Sequence, residues 1–510
     1  MTTYEHTISK ILLCGVVLLA LLWEYRRSKT PPQKQKMVYV LTLLAVLSFL
    51  AYYRFGFFPV YVHFWEHFHY KLSAKYFHEL GYDGLYVASI EAQQQAIPNL
   101  PIPPFIRDLR NYEIVPTASV AQHRQEVVNR FSSERWQGFV RDHTYYLRVM
   151  RWASQRRGRD FLQALATLRL DHGFNATPMW IFMGKLFAWL PANQSSSRFL
   201  VTLDVLLLLL MFLVVIQTYG LRAGCLGMVV FGLGYGWHYG WIGGGFLRQD
   251  WLVATVVGIC LLKRKRTMTA GMLLGYATMV RIFPIILLFG PGVKAIQDLL
   301  AHRKPAWFVR LLLGFTASVI ISFAVGSFTG QGTEAWRQFA VNIMTHHGSL
   351  SANRVGFQNL LLYGPATMRV ETEQWYEHVS QVKRERQIII VVASVVALGL
   401  LATAIWRVPL DESLMLGIAA IFFVTSLACY YWVMCIVFAL RRNTAVLVGF
   451  LLLNIGVYGV QLFRVPAPRI MYGLVLSWGL ALLVGLWIGP DSWQTLRGWL
   501  AGTHDAETIS

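Results

Sequence analysis

Charge is what this sequence has least of. Asp, Glu, Lys and Arg make up only 14% of its 510 residues, where a soluble globular chain carries about 25%. Acids are scarcest, 26 against 46 Lys and Arg, a formal charge of +20. There is no Walker A loop, no dinucleotide fingerprint behind a strand, no His-Glu-x-x-His and no Gly-x-Ser-x-Gly, which argues against chemistry driven by a bound nucleotide. The five cysteines (Cys14, Cys225, Cys260, Cys429, Cys435) lie in apolar stretches without metal-ligand spacing, so they read as core thiols and do not report a redox compartment. There is no internal repeat and no low-complexity tract. No small-residue cleavage site follows the apolar run 8–23, so that run reads as an anchor.

What is present is hydrocarbon. The chain is 55% apolar, with a mean hydropathy of +0.45. In a bilayer every backbone polar group must be paired internally, and long continuous apolar runs meet that demand as helices. Candidate spans are 8–23, 38–53, 199–219, 223–238, 251–262, 308–326, 387–405, 444–463 and 470–488, with 175–191, 268–292 and 412–440 ambiguous. Lys and Arg set the orientation. Arg26, Arg27, Lys29, Lys34 and Lys36 place the first connection on the cytoplasmic side, as do Lys263 to Arg266, Arg303 with Lys304 and Arg310, and Arg441 with Arg442. The loop beginning at residue 54 is then outside. The surplus of positive charge is explained by helix anchoring and lipid phosphates, and no nucleic-acid partner is expected.

Both ends of 268–292 then lie on one side, although the segment is too short to cross twice. Two half-helices broken at Arg281–Pro284 resolve the parity, and 412–440, centred on Cys429 to Trp432, is read in the same way. Backbone broken at membrane depth needs a protein or aqueous cover, so the two breaks predict a cavity opening outward. The segment 175–191 is expected to dip into the outer leaflet. The expected fold is all-α, a polytopic transmembrane helical bundle with a large outer loop of interfacial helices. Its parts are two N-terminal spans (1–53), an outer loop region (54–198), a membrane bundle (199–488) with outer loops 239–250 and 327–386, and a cytoplasmic tail (489–510). The expected location is a bacterial plasma membrane.

Five constellations are candidates for chemistry. Helical spacing over 61–78 gives an apolar stripe (Tyr61, Trp65, Phe68, Leu72, Tyr76) and a basic stripe (His63, His67, Lys71, Lys75, His78), the pattern of a helix lying on the membrane. Glu66 lies at their border, with His63, His69 and Tyr70 one turn away. Such neighbours keep a carboxylate ionised and oriented as a general base; a solvated surface Glu is the plain alternative. Asp171-His172-Gly173-Phe174-Asn175-Ala176-Thr177-Pro178 is either a capped turn or a contact to a polar substrate or metal. In Gly243-Gly-Gly-Phe-Leu-Arg248-Gln-Asp250, the glycines permit close backbone approach, and Arg248 and Asp250 either face the outer cavity or, for Arg248, snorkel. Arg281 is a cation at membrane depth, suited to a phosphate or to an internal ion pair. Ser351 to Gly356, with Asn353 and Arg354 and preceded by His346 and His347, is a loop suited to closing over a sugar or headgroup.

Taken in order, these features resemble the GT-C superfamily of membrane glycosyltransferases, and within it glycosyltransferase family 87, the polyprenol-phosphate-mannose-dependent type. Glu66, Tyr70, Ser73-Ala74, Leu80-Gly81 and Leu85-Tyr86 follow that family's first-loop pattern. Phe174 to Pro178 opens a short apolar segment ending Leu190-Pro191; Arg281 to Pro284 follows Gly271 and Gly275; Ser351 to Gly356 and Ser426 to Trp432 are similar to its later motifs. The likeness spans roughly residues 60–440. The family's acid is usually Asp, its aromatic is followed by a double Pro, and its membrane cation is Lys, where this chain has Glu66, Thr177-Pro178 and Arg281. The resemblance implies a polyprenyl-phosphate sugar donor, a lipid or glycan acceptor on the outer face, and inversion at the anomeric carbon. It also implies an acid that deprotonates the acceptor, Glu66 first and Asp171 next, then Asp83 and Asp250. Expected substrate contacts are His63, Tyr70, His172, Asn175, Arg248, Asp250, Arg281, Asn353 and Arg354. No cofactor is assigned, and a divalent metal is left open without a ligand set. A transporter or lipid flippase is the competing reading, because broken helices with a central cation suit both.

Overall fold

The computed structural model describes residues 2–27, 30–58, 60–348, 351–364, 372–441, 443–463 and 467–501. Lys29 and Arg442, and the side chains of Arg27, Lys34, His346 and His347, lie outside the described residues. The chain is a multi-pass, all-α membrane protein. Among the described residues eight helices are long and apolar enough to cross a bilayer, including Thr3–Arg26, Gln35–Tyr52, Gln194–Tyr219, Gln387–Arg407 and Thr444–Phe463. Two expected spans are shorter than a crossing. The apolar stretch 223–238 is helical only as Leu221–Leu233, because the chain turns extended at Gly234. The other is the helix Asp250–Lys263.

Both ambiguous segments are broken, the first at the expected Arg281 and the second just before the expected Cys429–Trp432, though the second arm of the first, Phe283–Leu300, is itself long enough to cross. The helix Thr267–Val280 ends at Arg281, whose backbone is extended (φ −144°, ψ 112°). Pro284 then opens a tight turn, Phe283–Leu288, leading into Phe289–Leu300. Proline suits a first turn because it has no N–H to leave unpaired there. The second segment rises as Leu410–Val424, opens into the two-residue strand Leu427–Ala428 and descends as Cys429–Ala439. That strand pairs antiparallel with Arg354–Val355 (Arg354 opposite Ala428), which satisfies backbone the break would otherwise strand.

Ion pairs mark the level to which both segments return. Arg441 bonds Glu412 at 2.7 Å and also pairs with Asp491, while Lys263 meets Asp411 at 3.3 Å. Lys294 donates to the Trp406 carbonyl at 3.2 Å. The start and finish of 410–441 therefore lie together. Glycine lets the arms touch: a Cβ on Gly290 would stand 1.8 Å from the Ser413 carbonyl oxygen, and one on Gly417 2.8 Å from that of Leu287. At the other end the two breaks meet, with the rings of Phe283 and Tyr431 5.0 Å apart and Trp251 5.0 Å from Phe283.

The loop after the second helix builds its own apolar core around Phe68, Tyr86, Phe139 and Leu168, all fully buried. Its longest helix, Ser133–Arg156, is capped by the Ser132 side chain and buries Phe139, His143, Tyr146, Leu147 and Met150. Strands Phe105–Arg107 and Ile114–Pro116 pair antiparallel beside it. Burial overturns the expected basic stripe. His67 and Lys71 of that stripe are buried, as is the neighbouring His69: the His67 ring packs against Phe246 of the 239–250 connection, and Lys71 lies beside Asp142 of the Ser133–Arg156 helix. The segment is also not one helix: a π-helical turn, His67–Leu72, interrupts it and shifts the register. Burial pushes Lys71 down to about 8, and its ammonium donates to the Pro191 carbonyl at 3.2 Å. The segment 175–191 holds the helix Pro178–Lys185, capped by Thr177, with Trp180 fully enclosed by protein.

Gly290→Ala should lower stability by about 1–3 kcal/mol through overpacking. Gly292→Ala has open space and should shift it by less than about 0.5 kcal/mol; thermal unfolding of the detergent-solubilised chain compares the two. Burial pushes His67 and His143 from 6.5 down to about 3, so each is neutral in the folded loop. Their contribution is fully present above pH 6.5 and is lost as pH falls towards 3, at about 1.4 kcal/mol per pH unit for each group. His143→Phe should flatten that acid arm in melting temperatures recorded from pH 7 to 4.

Candidate active site

The meeting point of the two breaks lies against the first turn of the loop that follows the second helix. Two features bring the 239–250 connection onto it. Gly244 (φ +75°) lets the backbones touch: a Cβ there would stand 2.2 Å from the Tyr61 carbonyl oxygen, and its own carbonyl accepts from His63 N–H at 2.8 Å. Asp204, a carboxylate inside the Gln194–Tyr219 helix, accepts from the backbone N–H of Arg248 (2.9 Å) and of Gln249 (3.3 Å). Leu247 between them takes a left-handed conformation (φ 47°), a strain held by these flanking bonds.

So held, Arg248 points into the protein at 3% exposure, with its Nε 3.0 Å from the Glu66 carboxylate. Its guanidinium stacks on Tyr70 at 4.3 Å and faces Tyr430 at 5.8 Å. Burial opposes the Arg248 charge, but Glu66, Tyr70, Tyr431 and Tyr430 outweigh it and hold the group above its ordinary value. Glu66 itself is 13% exposed. His63, one turn before it, is pushed down by burial, with Glu66 opposing. As a neutral ring it accepts the Glu66 backbone N–H on Nδ1 (3.3 Å), which leaves Nε2 to donate towards the Gly240 carbonyl (3.4 Å).

Arg281 completes the charge set. Its Nη1 donates to the Val280 carbonyl at 3.0 Å, and its Nε and Nη2 are buried without a hydrogen-bond partner among the described residues. Asp250 lies in the field of both Arg281 and Arg248. Its carboxylate is occupied, accepting from the Trp251 N–H at 2.9 Å and the Tyr276 hydroxyl at 3.0 Å. Tyr70, whose phenol burial raises, is acted on by Arg248, Glu66 and Arg281 together. Its hydroxyl donates to Asn175 at 2.9 Å.

Seven expected residues thus converge: Glu66, His63, Tyr70, Asn175, Arg248, Asp250 and Arg281. Asp171 and His172 stand behind them. Asp171 accepts from Trp65 Nε1 at 2.7 Å and from the His172 N–H at 2.8 Å. Burial would raise its carboxyl, but His172, His69 and Trp65 hold it well below the usual range. Asn353 and Arg354 lie across the site: the Asn353 carbonyl accepts from Cys429 N–H at 2.8 Å, and Arg354 feels Tyr430. Among the described residues no three His, Cys, Asp or Glu side chains gather closely enough to hold a metal ion.

Sequence reasoning missed Asp204 and the Tyr430–Tyr431 pair. The signal for Asp204 was there, a lone acid within an apolar run, where ionisable residues mark function by default. The two tyrosines lie in the segment where a break was expected, Cys429 to Trp432, but nothing in the pattern assigned them a cation to face. No family model, curated protein or solved structure matches the chain.

The Glu66–Arg248 contact should appear as energetic coupling. A cycle of Glu66→Gln, Arg248→Gln and the double variant should give about 0.5–3 kcal/mol of interaction in unfolding free energy. Additive losses would mean that the pair is not formed.

Proposed function

We propose that this chain is a membrane glycosyltransferase that moves a sugar from a polyprenyl-phosphate donor to a lipid or glycan acceptor on the outer face of a bacterial plasma membrane. One observation supports this above the others: Glu66 stands beside the buried guanidinium of Arg248, and a second buried guanidinium, Arg281, acts with Arg248 on Tyr70 and Asp250, the N–H groups of both being only partly used. A phosphate is the ligand such a pair suits, since each planar fork can hold two oxygens.

The chemistry uses few parts. The acceptor hydroxyl gives its proton to Glu66 as its oxygen bonds the anomeric carbon. The bond from that carbon to the donor phosphate oxygen breaks with its electron pair, and the phosphate leaves with the added negative charge. Arg248 and Arg281 stabilise that charge where it develops. Attack opposite the leaving group inverts the configuration.

The ion pair gives the base a trigger. With Arg248 Nε at 3.0 Å, the Glu66 carboxylate is engaged by a cation and is not free to meet an acceptor hydroxyl. A donor phosphate competes for Arg248 and frees the carboxylate as substrate arrives. Asp204 and Asp171 serve as positioning residues, the first through the Arg248 backbone and the second through Trp65. Tyr70 and Tyr430 sandwich the Arg248 guanidinium and limit its movement.

The test is sugar transfer in cells that overproduce the chain, read by mass spectrometry of lipid-linked and surface glycans. Glu66→Gln should reduce product by about 10²–10⁴-fold, the usual effect of losing a general base, and Arg281→Met should reduce it as well. Chain abundance and melting are recorded in parallel. Unchanged glycans with a folded Glu66→Gln variant would exclude Glu66 as the base. A glycan pattern indifferent to the chain altogether would favour the flippase reading.

A further inference from the structure

A second group of basic side chains, the cations Lys10 and Arg54 with the histidines His6 and His238, lies on the far side of the 239–245 turn, and the proposed chemistry does not use it. Lys10, inside the first span, is 0% exposed and donates to the Tyr458 hydroxyl at 3.1 Å. Its ammonium also lies 5.4 Å from the Tyr458 ring and 6.0 Å from that of Tyr52. His6, one turn earlier, bonds the Ala51 carbonyl at 2.7 Å, which brings the start of the first helix to the end of the second. Arg54 follows that end, its Nε buried without a hydrogen-bond partner among the described residues. His238 feels Lys10, His6 and Arg54, and Lys10 and His6 feel Arg54 in turn. Among the described residues no carboxylate stands among the charges acting on these four groups.

Buried charge of one sign needs an opposite charge. Aromatic faces supply part of that need for Lys10, but not for Arg54. The His238 tautomer adds a donor. Its Nδ1 accepts the Gly240 N–H at 3.1 Å, so the neutral ring carries its proton on Nε2, 3.4 Å from the Tyr472 hydroxyl. His6, Arg54 and His238 are half-buried, so the cluster has an opening, while Lys10 closes its floor.

The second observation is independent. Behind Tyr235, whose ring lies 5.7 Å from that of His238, is an apolar cavity of about 40 Å³, lined by Tyr235, Trp237, Cys429, Phe450, Leu476 and Leu480 among others. On the same scale one water needs about 10–15 Å³, so the space takes a few chain atoms. Tyr235 is common to both: its ring stacks on Tyr472 at 5.8 Å and meets Tyr458 at 5.2 Å. A basic floor with an apolar recess behind it matches a ligand with an anionic head and the start of a hydrocarbon tail.

We propose that His6, Lys10, Arg54 and His238, together with the cavity behind Tyr235, bind a phosphate-bearing lipid. The guanidinium fork and ammonium hold the phosphate oxygens, and the cavity takes the first carbons of the chain. The site is separate from Glu66 and Arg248, and it stands whether or not those residues transfer a sugar.

The test uses the full-length chain in phosphatidylcholine nanodiscs doped with phosphatidylglycerol, with retained lipid counted by native mass spectrometry. Wild type should retain phosphatidylglycerol over phosphatidylcholine. Lys10→Met and Arg54→Gln should each weaken retention about tenfold, the loss of roughly one charge-assisted hydrogen bond. Arg54 follows a helix end and is half-buried, so its variant keeps the test alive if the Lys10 variant misfolds. Gly236→Leu separates the two sources of phosphate: a Cβ there meets only ordinary contacts, to the Cys429 carbonyl at 3.4 Å and Leu476 at 3.6 Å, and a leucine would fill the recess. It should lower lipid retention while competition by inorganic phosphate stays weak. Equal retention by wild type and Arg54→Gln, with unchanged melting temperature, would overturn the proposal. So would displacement by inorganic phosphate with no effect of Gly236→Leu, because the site would then hold free phosphate.

Discussion

Burying Arg248 is the constraint from which the rest of the arrangement follows. A guanidinium at 3% exposure is tolerated only if its charge and its donors are answered. Glu66 answers the charge, and the tyrosine faces answer part of the desolvation. To place the group, the 239–250 turn must press against 61–66, which requires glycine at 244 and a carboxylate at 204 to hold the next two N–H groups. To enclose it, the membrane helices must be interrupted. Arg281 and Tyr431 reach the same place because 267–300 and 410–439 break there.

Most of this architecture was legible because the bilayer leaves few choices. Apolar runs of bilayer length become helices, and Lys and Arg mark one side of them. Together they forced a parity argument that located both breaks, one at Arg281 and the other a few residues before Tyr431. The glycine run at 243–245 announced a close approach, and Gly244 makes one. Less legible was anything that depends on what covers a face. The stripe of His67 and Lys71 had the spacing of a solvated helix face, yet both are buried, His67 against Phe246 and Lys71 bonded to the Pro191 carbonyl. Periodicity reports that a helix has two faces, but not which neighbour lies on each. Asp171 had the composition of a site residue, and its carboxylate is engaged by Trp65. Asp204 was passed over because one acid in a long apolar run does not disturb the hydropathy that defines a span.

The two basic clusters differ in a way that bears on their roles. Around Glu66 positive charge is balanced by Glu66, Asp250 and Asp204. Around Lys10, among the described residues, no carboxylate balances it. A balanced cluster can exchange partners and move a proton at little cost, which suits catalysis. An unbalanced one holds an anion and lets it go reluctantly, which suits binding. The turn 239–245 separates them, with Gly240 contacting His63 on one side and His238 on the other.

The order of these pieces along the chain carries a consequence for synthesis. Glu66 and the core around Phe68 and Phe139 are made early, and that core is complete within the first 201 residues. Domains generally fold N-terminal first while translation continues. The loop after the second helix can therefore close on itself while Arg248, Arg281 and Tyr430 are still unmade. Each later cation must be threaded into the bilayer alone and neutralised only when its helix docks beneath a loop already folded. The early loop thus serves the later helices as a template, so a slow or unstable loop would appear first as failed insertion of helices that contain no defect of their own.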